Sequence, residues 1–144
     1  MTPIENIRLS EKAKTQLITM KRRTGIANWN VLCRWAFCLS INQPTRPPEE
    51  IIPTDSSVEM TWKTFTGGAD DVYWGMLLVR AEEDTIPQKK EALTHYFRLH
   101  LHRGISYLTG ANGPTDLSQF VSLALKKSAV SSELLTEESN PADR

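Results

Sequence analysis

The feature that most constrains the fold is a pair of apolar-faced segments joined by a glycine turn near the start of the chain. They lie within residues 7–39, IRLSEKAKTQLITMKRRTGIANWNVLCRWAFCL. Ser10 can cap the free amides of the first segment, and Gly25 can take the left-handed conformation that ends a helix. Asn28 can cap a second helix ahead of an apolar run. These signals predict a short extended segment, a basic helix, a turn and a mostly apolar helix.

The first predicted helix, from Glu11 to about Thr24, combines a narrow apolar side with a dense set of cations. Ala13, Leu17 and Met20, with Ile18 as a further candidate, lie on one side at the spacing of four and three that is typical of a buried face. The other faces carry the cations Lys12, Lys14, Lys21, Arg22 and Arg23. The last three also oppose the negative end of the helix dipole, worth about 0.3 to 1 kcal/mol each at most. For these three residues, a role in stabilising the helix and a role in contacting phosphate both remain open.

The second predicted helix, from Trp29 to Ile41, is so apolar that it must be buried in its own domain or at a subunit contact. Arg34 is its only charged residue, either paired at the edge of the core or in contact with a phosphate. Cys33 and Cys38 lie in the same helix, about 140° apart around its axis, so they cannot pair there. Without a CxxC spacing, both are expected to be reduced and packed.

Residues 4–9 alternate only weakly between apolar and polar side chains, so a strand here would be short and unstable alone. No segment next to it in sequence can form a hairpin with it, but the same strand of a second subunit can supply a partner. The order strand, helix, turn and helix is similar to that of ribbon-helix-helix DNA-binding proteins. We therefore expect a ribbon-helix-helix-like unit over residues 7–41.

The remaining sequence predicts a connector and further helices. Four prolines within residues 44–53 indicate an extended connector. Residues 58–65 alternate well enough for a short strand or an arm that packs Met60 and Trp62, closed by Gly67 and Gly68. A helix over residues 69–84 contains Gly75, which suggests close packing against another backbone. Two more helices are predicted, from residue 87 with its proline in the first turn to residue 109, and over residues 116–127.

Each of these helices carries a set of apolar side chains, and the set of the second helix is expected to be its inner stripe. In the first, the set consists of Val72, Tyr73, Met76, Leu77 and Val79. In the second, it consists of Leu93, Tyr96, Phe97, Leu101, Ile105 and Leu108. In the third, it consists of Leu117, Phe120, Val121 and Leu125. Residues 128–144 are acidic and rich in serine, and we expect a flexible tail there.

The formal net charge of zero conceals a strong segregation of charge along the chain. Residues 1–46 hold eight Lys or Arg against two Glu, whereas residues 47–92 hold four against ten acids. Residues 93–127 carry a net +3 and residues 128–144 a net −3. A polyanion senses the local field over roughly 8 to 10 Å, so the N-terminal third is the natural face for one.

Other function classes find little support in the sequence. His95 and His102 share a helix face but are about 10 Å apart, too far for one zinc ion. His100 and His102 point to opposite sides of the helix, so they cannot share a metal ion either. Phosphate contact by His100, His102 or Arg103 is a minor alternative. No phosphate-binding Gly loop and no nucleophile with a nearby base is present, so we expect no catalytic residue, metal or cofactor. Without a secretory signal or a spanning segment, the expected compartment is the cytoplasm.

Four blocks of sequence resemble one known family. They are RRTGI at residues 22–26, NWNVLCRWA at 28–36, VEMTWKTF at 58–65 and YFRLHLHRGI at 96–105. In this order they resemble the DndE family of bacterial DNA phosphorothioation, in which sulfur replaces a non-bridging phosphate oxygen. The likeness spans about residues 7–120.

The resemblance implies a homotetrameric, ribbon-helix-helix-like protein that binds duplex DNA, with a preference for nicked duplex, through surface lysines. It also implies sulfur-transfer and ATPase-like partner subunits, and no established catalytic residues. One departure is the strand, whose apolar Ile7 and Leu9 do not suit a polar ribbon that reads bases. Only Arg8 is a good base-edge candidate, which favours backbone binding.

We thus predict a mainly α protein with one compact domain over residues 1–127, containing a helical part at 69–127, and a tail at 128–144. The predicted function is a non-catalytic DNA-binding subunit of a phosphorothioation system, and the alternative is a scaffold that bridges the modification enzymes. A conventional repressor ranks third. The predicted DNA contacts are Lys12, Lys14, Lys21, Arg22, Arg23 and Arg34.

Overall fold

The computed structural model describes residues 4–110, 113–123 and 125. In chain order it contains strand β1 (Asn6–Arg8), helices α1 (Glu11–Thr24) and α2 (Trp29–Ile41), strand β2 (Glu59–Thr61) and helices α3 (Trp62–Thr66), α4 (Asp70–Glu83) and α5 (Lys90–Thr109). Residues 117–123 are also helical. The mainly α class is confirmed, and the expected tail at 128–144 lies outside the described residues.

The ends of α1 follow from the predicted local signals. The Ser10 hydroxyl accepts a 3.0 Å hydrogen bond from the Ala13 amide, and Gly25 has φ 75°. The Gly25 amide donates to the Lys21 carbonyl at 2.9 Å, which satisfies one of the last free carbonyls of the helix. The expected cap at Asn28 is wrong, because its side chain makes no capping hydrogen bond. The predicted bounds of α2, Trp29 and Ile41, nevertheless agree with the structure.

The partner of β1 comes from the same chain, so the expected pairing with a second subunit is wrong. β1 and β2 pair antiparallel, with Ile7 opposite Met60. Hydrogen bonds from the Leu9 amide to the Val58 carbonyl and from the Ser56 amide to the Leu9 carbonyl, both 3.1 Å, continue the pairing. Two helices, α1 and α2, separate the paired strands in the sequence. A comparison of neighbouring segments therefore cannot detect the pairing.

The segment after β2 turns into a helix rather than continuing as a strand or arm. The Thr61 hydroxyl accepts a 3.1 Å hydrogen bond from the Thr64 amide and so caps α3, which ends at Gly67 with φ 66°. Met60 and Trp62 are buried, as predicted. The short helix also places Phe65 against Phe37 and Phe97 in an aromatic cluster.

The core is built on the contact between α2 and α5. Every residue of the predicted α5 stripe is buried. The two backbones meet at Gly104, where an added Cβ would lie 1.7 Å from the Ala36 carbonyl oxygen. Phe37 and Phe65 pack edge to face with ring centroids 5.7 Å apart. The helix begins at Lys90, three residues later than the predicted start at Pro87.

The predicted apolar side chains of α4 divide between the core and the surface. Leu77 is buried, and Tyr73 and Met76 are partly buried against the core, but Val72 and Val79 are each 61% exposed. A Cβ added at Gly75 would meet nothing within 4 Å, so the expected close packing is wrong. Periodicity identified an apolar side of the helix, but it cannot tell whether the partner surface lies in the same chain.

The C-terminal helical segment shows the same division. Phe120 is buried and its ring lies 4.3 Å from that of Trp35, centroid to centroid. Leu117, Val121 and Leu125, the rest of its apolar set, are exposed. A single aromatic anchor therefore attaches this segment to α2.

The proline-rich connector forms no helix or strand, and arginines hold its beginning. Arg80 donates to the carbonyls of Pro44 at 2.9 Å and Thr45 at 3.1 Å, and Arg103 donates to the Thr45 carbonyl at 2.9 Å. Arg46 donates in turn to the Asp84 carbonyl at 3.2 Å. These bonds satisfy carbonyls in a segment that forms no regular ladder.

Candidate nucleic-acid interface

The cations of α1 form the main positively charged surface predicted from the sequence. Lys12, Arg22 and Arg23 are exposed, and Lys14 and Lys21 are partly buried. Among the ion pairs of the described residues, none involves a cation of α1. Their charge is therefore not neutralised by a carboxylate in contact with it.

These cations do not all point the same way. Lys14 and Lys21 are seven residues apart and lie within about 20° of each other around the axis, as do Lys12 and Arg23, which are eleven apart. Lys12 and Lys14 are separated by about 200°. The helix therefore has two cationic flanks, and Arg22 lies between them on the outermost side.

The Lys14 and Lys21 flank faces a groove between α1, the start of α2 and β2. The groove has a volume of about 450 Å³. The Lys14 ammonium donates to the Ser57 hydroxyl at 2.9 Å, and that of Lys21 lies 3.5 Å from the ring centroid of Trp29. Burial lowers the pKa of Lys21. Both ammonium groups are held in place at the groove, which reduces the side-chain entropy lost on binding an anion.

The Lys12 and Arg23 flank has a different environment. Lys12 lines a cavity of about 570 Å³ between α1, the connector and α5. The same cavity is lined by Glu11, Glu50 and Asp55, whose carboxylates weaken the positive field there. The Lys14 and Lys21 groove is lined by one acid, Glu59, which is paired with Arg8, so a polyanion meets fewer carboxylates on that flank.

Arg34 lies at the edge of the core, with backbone partners. Its guanidinium donates to the Phe65 carbonyl at 3.0 Å and to the Thr64 carbonyl at 3.4 Å, at the end of α3. The nearest heavy atom to a Cβ added at Gly67 would be the Arg34 Nη1, at 2.9 Å. Arg34 thus ties α3 to α2, and a phosphate contact would compete with these hydrogen bonds.

Arg8, the base-edge candidate on the ribbon, is also engaged within the chain. It donates to a carboxylate oxygen of Glu59 at 2.7 Å and to the Ser56 carbonyl at 3.0 Å. Glu59 lies opposite Arg8 in the register of the two strands. The paired charges leave the ribbon without a free cation for reading bases.

The histidines have structural environments. His102 Nε2 accepts from the Ser10 amide at 3.2 Å, and its Nδ1 donates to the Arg98 carbonyl at 2.9 Å, so the ring is neutral. His100 is fully buried, and its Nδ1 lies 2.7 Å from the Ser40 hydroxyl oxygen. Burial, followed by the charge of Arg103, lowers the pKa of His100 to about 3.

Other candidate chemistry is limited within the described residues. Arg103, the remaining candidate for a phosphate contact, donates from its side chain to the Ser40 hydroxyl at 2.8 Å. This hydrogen bond engages it within the chain. The described part of the chain contains no group of three or more His, Cys, Asp or Glu residues able to hold a metal ion. Neither cysteine forms a disulfide bond within the described residues, and burial raises the pKa of Cys33 to about 12. Within the same residues, no helix is long and apolar enough to cross a membrane.

Sequence reasoning missed Trp29 and Ser57 as parts of the groove. The sequence places Trp29 only at the start of α2, and Ser57 lies in the loop before β2. Ser57 is near Lys14 because β1 pairs with β2, and Trp29 is near Lys21 because of the turn between α1 and α2.

The chain matches the family model described as "DNA sulphur modification protein DndE" over residues 6–114. No curated protein sequence matches it. The fold is similar to the crystal structure of DndE from Escherichia coli B7A, which is involved in DNA phosphorothioation modification. That comparison has a TM-score of 0.62 and 24% identity, and it covers 75% of this chain and 98% of the other.

A DndE mutant involved in DNA phosphorothioation is also similar, with a TM-score of 0.54 and 19% identity, over 71% of this chain and 95% of the other. At these identities the structures show a shared fold. The family match is independent of them and covers most of the chain. The chain therefore belongs to the DndE family, whose members take part in DNA phosphorothioation.

Proposed function

We propose that the chain is a non-catalytic, DNA-binding subunit of a DNA phosphorothioation system and contacts the duplex backbone through α1. One observation carries the proposal: five cations of α1 project from a helix whose apolar side is buried, and none is in an ion pair within the described residues. Because these cations are spread around the exposed part of the helix, cationic side chains lie on both of its flanks.

Backbone contact is the mode of recognition that these residues favour. Lys and Arg that neutralise phosphates release condensed counterions, which gives affinity without reading sequence. Base readout would need free donors or acceptors on the ribbon, and Arg8 is bound to Glu59. The expected result is binding to any duplex sequence with a strong dependence on salt.

The proposal includes assembly with other molecules. Several copies in a homo-oligomer, with a tetramer as the expected state, would present several α1 surfaces to one duplex and raise the overall affinity. Other subunits of the modification system would join this complex in the cytoplasm. A nick relieves the stiffness of the duplex, which favours a nicked over an intact duplex when several α1 surfaces bind together.

Binding to three labelled duplexes of one sequence, intact, nicked and sulfur-modified, tests this function. Fluorescence anisotropy across a salt series should give log–log plots of affinity against salt that fall linearly for all three, with the nicked duplex bound most tightly. A chain that binds none of them, or whose affinity does not change with salt, would contradict the proposal.

The alternative function is a scaffold that joins the modification enzymes, with incidental DNA contact. The observation that favours it is the acidic and apolar outer side of α4, which is suited to a protein rather than to DNA. A Lys21→Glu/Arg22→Glu/Arg23→Glu variant separates the two functions. Retained capture of the partner subunits and retained modification in cells would favour the scaffold, whereas loss of modification with capture intact would favour DNA binding.

A further inference from the structure

The cavity between α1, the connector and α5 has a volume of about 570 Å³, large enough to take side chains of another molecule. Apolar side chains of the connector and of α5 line it: Pro47, Ile51, Ile52, Pro53, Leu99 and Tyr107. Two of them remain in contact with water, since Ile51 is 95% and Tyr107 41% exposed. An occupant that covered this apolar surface would gain free energy by removing it from water.

The backbone of the connector is available to such an occupant. Residues 47–53 form no helix or strand. Within the described part of the chain, the amides of residues 49–52 donate no hydrogen bond and the carbonyls of residues 47–53 accept none. An extended segment of another protein can pair with such groups, as it does at the edge of a sheet, and can place alternate side chains in a pocket beside them.

Carboxylates border the cavity where the connector passes the start of α1. Glu11, Glu50 and Asp55 are exposed there, and none of them is in an ion pair with another described residue. Burial lowers the pKa of His102 in the cavity wall, and the charge of Glu50 acts in the opposite direction, so this carboxylate lies near the α5 side. An ammonium or guanidinium group is the complement of these carboxylates in a protein partner.

The two cations that line the cavity do not outweigh these carboxylates. Arg103 donates to the carbonyls of Ser40 at 2.8 Å and Thr45 at 2.9 Å, which hold its guanidinium between α5 and the start of the connector. Lys12 is exposed on α1. Three carboxylates therefore surround the cavity together with two cations. Phosphates would meet these carboxylates, so the cavity suits a basic protein segment better than a nucleic acid.

We propose that this cavity binds an extended segment of a partner protein in which a large apolar side chain lies two residues from a lysine or arginine. The apolar side chain packs against Ile52, Leu99 and Tyr107, and the basic side chain meets Glu50 and Asp55. A spacing of two places both side chains on the same face of an extended segment. The backbone of the segment pairs with the connector.

This docking site is separate from the groove that Lys14 and Lys21 face, because the two lie on opposite flanks of α1. A partner segment and a duplex can therefore bind at the same time. The inference goes beyond the proposed function and can fail while DNA binding holds.

Nuclear magnetic resonance of the isotope-labelled full chain tests the site with short synthetic peptides. The probes are acetyl-Ser-Lys-Ser-X-Ser-Lys-Ser-amide, with Leu, Phe or Trp at X, and matched peptides with Glu in place of each Lys. The Lys probes should shift the amide signals of residues 49–52 and 99–107, and the Glu probes should leave them in place. Lys probes that do not shift these signals, or Glu probes that shift them equally, would overturn the proposal.

A charge reversal tests the role of the acidic border. Glu50→Lys should weaken binding of the Lys probes severalfold and strengthen that of the Glu probes, because the attraction becomes a repulsion. Glu50 makes no hydrogen bond or ion pair with another described residue, so the variant should fold. Glu82→Lys, which reverses an exposed acid on α4, is the matched control and should bind as wild type. Equal affinities in both variants would contradict the assigned border.

Hydrogen exchange at the amides of residues 49–52 tests whether the cavity is open to a partner. These amides should exchange rapidly in the chain alone and become protected when a Lys probe is added. Protection without a probe that is lost on dilution would identify a second copy as the occupant. Protection that persists on dilution would identify a segment of the same chain, and either result would overturn the proposal.

Discussion

Helices α1 and α4 are both 14 residues long, and each buries one side against the core, yet their outer sides differ completely. Outside its buried Ala13, Leu17 and Met20, α1 is cationic, whereas α4 buries Leu77 and Ala81 and exposes valines beside acids. Water solvates the cations of α1 well, but the exposed valines retain unburied apolar surface. Two helices that pack on the same core can thus have outer sides suited to different partners, a polyanion for α1 and a protein for α4.

Gly104→Ala removes the support that both helices share and should have the largest effect. The new Cβ would overlap the Ala36 carbonyl oxygen, so α2 and α5 would have to separate along their whole contact. We expect a loss of several kcal/mol of stability, enough to unfold most of the chain. Circular dichroism would measure it, and a melting temperature within a few degrees of wild type, on the scale of a change of about 1 kcal/mol, would contradict the close contact.

Acid should destabilise the core beneath both helices. The pKa of His100 is lowered to about 3 in the folded chain, whereas an unfolded His has a pKa of about 6.5. The unfolded state binds more protons between these values, so this contribution to the unfolding free energy is lost as pH falls from about 6.5 toward 3. The loss should amount to several kcal/mol, as an order of magnitude.

Denaturant titrations of wild type, His100→Gln and His95→Gln across this pH range would measure the effect. His95 is the matched control, because its side chain is 35% exposed and contacts Glu49 at the surface. The pH dependence should flatten more in His100→Gln than in His95→Gln. Equal slopes in all three proteins would show that His100 is not responsible.

The two flanks of α1 should differ in their importance for DNA. Lys14→Ala/Lys21→Ala and Lys12→Ala/Arg23→Ala each remove two charges from the same helix. The first pair should weaken duplex binding by about tenfold more than the second, since the groove has fewer nearby acids than the cavity beside Lys12. Anisotropy at one fixed salt concentration measures both. Equal losses would show that the whole outer surface binds without preference for a flank.

Gly75→Ala should have the smallest effect on stability and the opposite sign from Gly104→Ala. Alanine is favoured over glycine within a helix by about 0.5 to 1 kcal/mol, and nothing lies near the new methyl group. Denaturant titration measures the rise in unfolding free energy. A decrease would indicate that a surface of the same molecule covers Gly75.

Local signals in the sequence determined much of the fold. Ser10 and Gly25 mark the ends of α1, and the stripe of α5 predicts its buried side correctly, because helix periodicity is a local property. The pairing of β1 with β2 joins segments about fifty residues apart, and no local pattern encodes it. The apolar stripes on α4 and on residues 117–125 were recognised, but a single sequence does not show which molecule covers them.

The candidate site was predictable to a similar extent. The cations of α1 are evident in the sequence, and their division into two flanks follows from 3.6 residues per turn. The environment of each flank depends on tertiary contacts: Ser57 and Trp29 at one, Glu50 and Asp55 at the other. Arg34 could not be assigned because its partners are carbonyls of α3, a helix that the sequence did not predict.

The most direct test of backbone binding through α1 is the salt dependence of duplex binding by Lys21→Ala/Arg22→Ala/Arg23→Ala. Each phosphate that the variant no longer neutralises should reduce the slope of log affinity against log salt by about 0.9, so three phosphates reduce it by nearly 3. Lys89→Ala/Lys90→Ala, which removes exposed cations at the start of α5, is the control and should keep the wild-type slope. A triple variant that folds and also keeps the wild-type slope would contradict backbone binding through α1.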